Sequence, residues 1–264
     1  MNGPASSAAL RIGAPVALGV VVLVAWQLLV TLAGIDDYLL PSPLSIVEQM
    51  IEFWPALIAA IASTGLNALI GLVVGSIVGI AAALVASLSR FFDQLTAPIV
   101  AALAVVPIVA LAPVLNTMFG ADSEVGRRTM AGLAVFVPVF INTLRGLQQT
   151  RPVHRDLMRA YAATRPQTLR VLTLPAARGY IFTGIRIASS LAVISALVAE
   201  YFGGPRGGLG SLISTSASTS AYARAWAYVV GGIVLGLIFF LVTAALERLA
   251  SPMSRSLTVT GRSK

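Results

Sequence analysis

Side chains able to make or break bonds are scarce in this sequence. It has no Cys, one His (His154) and one Lys (Lys264); every other basic residue is Arg. Without Cys there is no disulfide, thiolate ligand or redox pair. His154 has no second His or Cys near it, so no metal site is expected. A phosphate-binding loop needs a Lys in its glycine-rich turn. The only Lys is the last residue, so the chain is not itself expected to be a P-loop ATPase. The glycine-rich residues 201–210 follow Glu200 with no preceding strand, and they read as a tight re-entrant turn rather than a phosphate cradle. Hydrolysis inside a membrane needs a Ser with a helix-borne His, a buried Asp pair or metal ligands. None of these is expected here, so the reading is of a non-enzyme without a cofactor.

Most of the usable polarity lies in residues 150–177. Pro152 suits a first helical turn, and Pro166 stops that helix or opens the next. A helix of about three turns is expected over residues 152–165 and a second short helix over 166–174, ending at Pro175. Val153, Leu157 and Tyr161 share one stripe, and Arg151, Arg155 and Arg159 share another. A helix of three turns is marginal alone in water and needs a surface to lie on. That surface is either another protein's groove or the membrane itself.

The elements that must position this segment are apolar. Of 264 residues, 57% are hydrophobic and only 11% charged, and mean hydropathy is +0.89. A soluble domain carries about 25% charged residues. The chain therefore reads as an all-α integral membrane protein with six spans, at residues 13–33, 57–86, 94–118, 127–147, 179–199 and 225–246. The first is longer than a signal-peptide core of about 7–15 residues and is long enough to cross about 30 Å of hydrocarbon. In the second, Gly71, Gly75 and Gly79 repeat every four residues. The stripe either admits another helix closely or reflects the ordinary tolerance of Gly in membranes. The third holds Pro98, Pro107 and Pro113, so it reads as a kinked helix facing protein or a wet cavity. Between the first two spans, Ser45 is expected to cap a short helix, with Glu48 completing a capping box. Residues 247–264 read as a short polar tail.

Charge fixes an expected orientation. Six spans put both termini on one side, with Arg11, Arg90, the seven arginines of residues 145–178, Arg248, Arg255, Arg262 and Lys264. The other side holds only Arg127, Arg128, Arg206 and Arg224, and Arg186 lies within a span. The positive-inside rule then places both termini and residues 145–178 in the cytoplasm. The net charge of +8 is thus an orientation signal, not a nucleic-acid face.

Polar residues within or beside the spans are candidates for a solute pathway: Asn67, Asn116, Arg186 and Glu200. The alternative is structural. Buried amides such as Asn67, Asn116 and Asn142 bridge helices, and Arg186 snorkels or makes an interhelix bond. Trp226 and Tyr228 read as interface anchors. No Asp, Glu or His sits mid-span to couple ions, which disfavours a stand-alone secondary transporter or channel.

Residues 150–177 resemble the EAA loop of bacterial ABC-importer permeases. That pattern is Glu-Ala-Ala, three residues, Gly, then about a dozen residues to Leu-Pro. Here Asp156-Leu157-Met158 stands at Glu-Ala-Ala and Ala162 at the Gly. Ala163, Thr164 and Gln167 continue the likeness, and Leu174-Pro175-Ala176-Ala177 closes it. Thr183-Gly184-Ile185-Arg186-Ile187-Ala188 and residues 35–43 resemble stretches of the nitrate, sulfonate and taurine branch. The Tyr-Phe-Gly-Gly-Pro tract at 201–205 is similar to importers of thiamine-precursor pyrimidines or riboflavin-type vitamins. Ala is a better helix former than Gly by about 1 kcal/mol, so Ala162 is expected to straighten the family's turn.

The resemblance implies one permease domain over residues 1–264 in a bacterial inner membrane. It implies a second permease chain as a homodimer, two P-loop ATPase subunits and an extracytoplasmic binding protein. It also implies that Arg155, Asp156, Leu157, Met158, Arg159, Tyr161, Ala162, Ala163 and Thr164 couple to the ATPase. The implied solute is a nitrate-, sulfonate- or taurine-like anion, or else one of those vitamins. Glu200 is a candidate gate residue in this scheme.

Overall fold

The computed structural model describes residues 4–120, 123–203 and 207–250. The sequence readings at Asp122, Arg206 and the tail from residue 251 lie outside these. The described residues fold into helices: α1 (Pro4–Ala33), α2 (Pro43–Glu52), α3 (Trp54–Leu88), α4 (Arg90–Val105), α5 (Ile108–Phe119), α6 (Glu124–Gln148), α7 (Pro152–Ala160), α8 (Arg165–Thr168), α9 (Leu174–Tyr201), α10 (Leu209–Ser218) and α11 (Tyr222–Ala250). A π-helical turn, Leu169–Thr173, joins α8 to α9.

Five helical stretches are long and apolar enough to cross a membrane, and the bent pair α4–α5 makes six if it counts as one span. The span expected as a single kinked helix is instead broken, with its halves 93° apart. Val106 and Pro107 are both extended at the break (ψ 122° and 99°). The cause is local. Pro107 disfavours helical geometry at Val106 and has no N–H for the ladder. Pro98 and Pro113 stay inside their helices.

The core is α3 against α6 and α6 against α9. The glycine stripe explains the first contact. A Cβ on Gly71 would meet the Ala131 side chain, and one on Gly75 would lie 2.5 Å from the Gly132 carbonyl oxygen. Gly79 faces the Phe136 carbonyl and Val139. Only a bare Cα lets the backbones come this close, which is how helices gain dispersion contacts where no water drives them together. The stripe is therefore spent within the chain. By contrast, α1 touches little: only 6% of its membrane window is buried. It is held near one end by Trp26 edge-on to Trp226 (5.8 Å) and by Gln27 accepting from the Leu44 N–H.

Two caps differ from expectation. Ser42, not Ser45, caps α2: its hydroxyl accepts from the Ser45 N–H, and Pro43 follows at the first helical position. Ser45 instead donates back to the Ser42 carbonyl. The stretch after Glu200 does not simply turn back. It carries the ten-residue helix α10, which ends at Ser218 and is followed by Ser220 at φ 59°.

Candidate functional site

The structure draws polar residues into two places, at opposite ends of the α3–α6–α9 core. At one end Glu200, fully buried near the close of α9, is ringed by donors. Thr64 on α3 donates to its carboxylate at 2.7 Å, and the Gly210 N–H of α10 donates at 3.2 Å. Thr64 in turn accepts from the Leu209 N–H at 2.9 Å. Gly208 packs directly against the same carboxylate, where a side chain would collide. The glycine-rich tract thus lets the start of α10 wrap the Glu200 carboxylate.

One turn further along α3, Asn67 extends the network. Its amide nitrogen donates to Glu124 at 2.6 Å and reaches Glu200 at 3.5 Å. Its carbonyl oxygen accepts from Arg128 Nε at 3.1 Å. Glu124 also pairs with Arg127 at 2.8 Å, and Arg127 is wholly buried. Two carboxyls and the Arg128 guanidinium therefore meet at one amide, while the buried Arg127 reaches only Glu124 and keeps its Nε and Nη2 without a partner among the described residues. Asn116 of α5 donates to the Ala199 carbonyl at 3.4 Å, beside this cluster.

Of the four pathway candidates, Asn67, Asn116 and Glu200 come together. Arg186 does not. It sits near the middle of α9, paired with Glu247 of α11 at 3.0 Å and stacked over Phe240. Glu247 also accepts from Thr183 at 2.6 Å. Asn142 donates to the Pro138 carbonyl of its own helix and bridges nothing. Sequence reasoning missed Thr64, Glu124, Arg127 and Arg128. Thr64 and Asn67 do share a helix face at i, i+3, but the ends of α6 and α10 that complete the ring are set by packing.

Arg128 borders a groove of about 310 Å³ between α3 and α6, walled by Ile70, Val74, Val78, Leu133 and Phe136. It is the one charged residue among those lining that groove.

The other place is the α7 end. α7 runs only from Pro152 to Ala160, shorter than the expected 152–165. It stops because Ala162 adopts φ 50°, a left-handed conformation. The Ala163 N–H reaches the Met158 carbonyl (3.0 Å) and the Ala162 N–H the Arg159 carbonyl (2.9 Å), a Schellman closure. The expectation of a straighter turn fails, because these bonds and the following cap hold Ala162 where Gly is favoured. That cap is Thr164: Gln167 accepts from both its N–H and its hydroxyl, at 2.7 and 3.0 Å. Pro175 likewise ends nothing. It falls in the first turn of α9, so α8, the π turn and α9 form one rod from Arg165 to Tyr201.

No residue of α7 is buried. Its apolar stripe lies bare, with Val153, Leu157 and Tyr161 at 63%, 53% and 77% exposure; Met158 is half-covered. Asp156 pairs with Arg159 at 3.0 Å in solvent. Arg155 donates to Thr150 at 2.7 Å. With Arg159 and Arg165 it borders a separate hollow behind the helix.

Residues 71–252 match the family described as binding-protein-dependent transport system inner membrane component. The chain belongs to that family. It is a multi-pass inner-membrane protein and a transport permease subunit, as its relatives are. The riboflavin transport system permease protein RibX of Chloroflexus aurantiacus is 32% identical over 90% of this chain and 88% of its own length. A probable ABC transporter permease of Haemophilus influenzae is 31% identical, covering 75% of this chain and 80% of the relative. The formylaminopyrimidine transport permease protein ThiX of Halalkalibacterium halodurans is 31% identical over 73% and 77%. Among solved structures, an amino acid ABC transporter crystallised with histidines shares the fold. Its TM-score is 0.63 at 15% identity, covering 76% of this chain and 96% of the other.

Proposed function

We propose that this permease forms half of the pathway of an ATP-driven importer and that α7 is the helix its ATPase grips. Two copies make the pore, two separate P-loop ATPase subunits bind below, and an extracytoplasmic binding protein delivers the solute. Both termini and α7 face the cytoplasm in this reading, which the arginine distribution supports.

The observation that carries this reading is the bare stripe of Val153 and Leu157 on a nine-residue helix, continued by Tyr161 at its C-cap. So short a helix gains little by displaying that much apolar surface to water. A partner's groove covers it, with Met158, Ala162, Ala163 and Thr164 at the edge and Asp156 as a polar contact. Because α8 runs on into α9 as one rod, a push on α7 is carried along α9 to Glu200 at the opposite end.

The solute is a small anion of the nitrate, sulfonate or taurine kind, met by Arg128 at the mouth of the α3–α6 groove. Asn67 holds Arg128 at that mouth, and Asn116 and Glu200 stand in the cluster beside it. A second reading, a vitamin-type heterocycle, is favoured by the likeness to riboflavin and formylaminopyrimidine permeases along most of the chain. The largely apolar wall of the groove suits a flat ring.

The test is purification of tagged chain from its own host in mild detergent, with mass spectrometry of what accompanies it. A stoichiometric P-loop ATPase, lost on Leu157→Glu while membrane insertion is kept, is expected. Retention of the ATPase by Leu157→Glu would place the coupling helix elsewhere.

A further inference from the structure

The hollow behind α7 has a volume of about 610 Å³ and a mixed lining. Leu88 is the last residue of α3, Leu147 the last but one of α6, and Leu169 opens the π turn. Facing these three leucines are Arg155, Arg159 and Arg165, and no acidic residue is among the lining. Val153, Leu157 and Tyr161 are absent from the lining too. α7 therefore presents two different surfaces: an apolar stripe outward, and the i, i+4 pair Arg155 and Arg159 on the rim of the hollow, Arg155 bonded to Thr150 and Arg159 paired with Asp156 in solvent.

We propose that this hollow binds the headgroup phosphate of an anionic phospholipid, with the start of its acyl chain on Leu88 and Leu147. The argument is chemical fit. Guanidinium groups match phosphate oxygens in pairs. The leucine wall stands where two apolar helices end, so a ligand that meets both it and the arginines must be amphipathic. A free phosphate would leave that wall wet, and a carboxylate from a protein partner would reach only the arginine rim. The site rests on the reading above that this end meets the cytoplasmic leaflet, whose anionic lipids attract juxtamembrane arginines.

The experiment is native mass spectrometry of the full-length chain, titrated with phosphatidylglycerol and with phosphatidylcholine. Wild type is expected to retain phosphatidylglycerol in preference, and Arg165→Gln is expected to lower that retention about fivefold. Arg165→Lys keeps the charge and most of the preference, so loss in Arg165→Gln is not loss of fold. Equal retention of the two lipids by wild type would overturn the proposal. So would displacement of phosphatidylglycerol by millimolar inorganic phosphate, which would mean the hollow reads a bare anion. Its release in proportion to added ATPase would overturn it as well, by assigning the arginines to that partner. The ATPase-docking reading stands or falls separately, on Leu157→Glu, a residue that does not line the hollow.

Discussion

Thr64 donates a 2.7 Å hydrogen bond to Glu200, from a position 136 residues earlier in the chain. The same hydroxyl accepts from the Leu209 N–H, so one side chain ties α3, α9 and α10 together. Thr64→Val keeps the shape and removes both bonds. It leaves a buried carboxyl short of a donor and a buried N–H without an acceptor, at a cost of about 1–3 kcal/mol. Thermal unfolding in detergent should show a clearly lowered midpoint. An unchanged midpoint would mean that the ring of donors around Glu200 contributes nothing to holding α10 in place.

Gly75 and Gly236 make a matched pair. A Cβ on Gly75 would press into the Gly132 carbonyl and Val135, whereas one on Gly236 meets nothing within 4 Å. Gly75→Ala should destabilise by about 1–3 kcal/mol, and Gly236→Ala should be neutral or slightly stabilising. Side-by-side melting curves check this. Similar behaviour of the two variants would contradict the account of α3–α6 packing.

Ala162→Gly should stabilise the α7 turn by about 1 kcal/mol, because the left-handed conformation at φ 50° is strained for any residue with a Cβ. Slower hydrogen exchange of the Ala162 and Ala163 amides would report it. Faster exchange would mean that the lost Cβ mattered more than the relieved strain.

Arg128→Gln tests the pathway reading. Arg128 gives Asn67 only its Nε, so its outer nitrogens remain for a solute in the groove. For an anionic solute, transport kcat/KM should fall about tenfold or more, while the amount of assembled complex is unchanged. A heterocyclic solute should be far less affected. Equal loss for both would make Arg128 a structural residue of the Asn67 cluster.

The spans were legible because hydropathy over twenty residues is a strong signal, and Arg151, Pro152 and the spaced apolar residues marked α7. Three features were not legible. The break at Val106–Pro107 could not be told from a kink, since Pro98 and Pro113 carry the same local signal yet stay helical. The turn at Ala162 runs against Ala's own preference and is set by the Schellman bonds and the Thr164 cap. The network around Glu200 of α9 joins Thr64 and Asn67 of α3, Glu124 of α6 and Gly210 of α10, and no local pattern encodes such a meeting. Arg186 was readable either as a pathway residue or as one end of an interhelix bond; its bond to Glu247 of α11 supplies the second, from a partner no local pattern could name.

The most direct test of the central claim is solute accumulation in proteoliposomes. Vesicles are prepared with this chain alone and with the chain, its ATPase and its binding protein together, each with and without ATP inside the ATPase-facing compartment. The account predicts accumulation only in the complete assembly with ATP, abolished by Leu157→Glu. Solute flux through the chain alone, independent of ATP, would contradict it and make the protein a secondary transporter or channel.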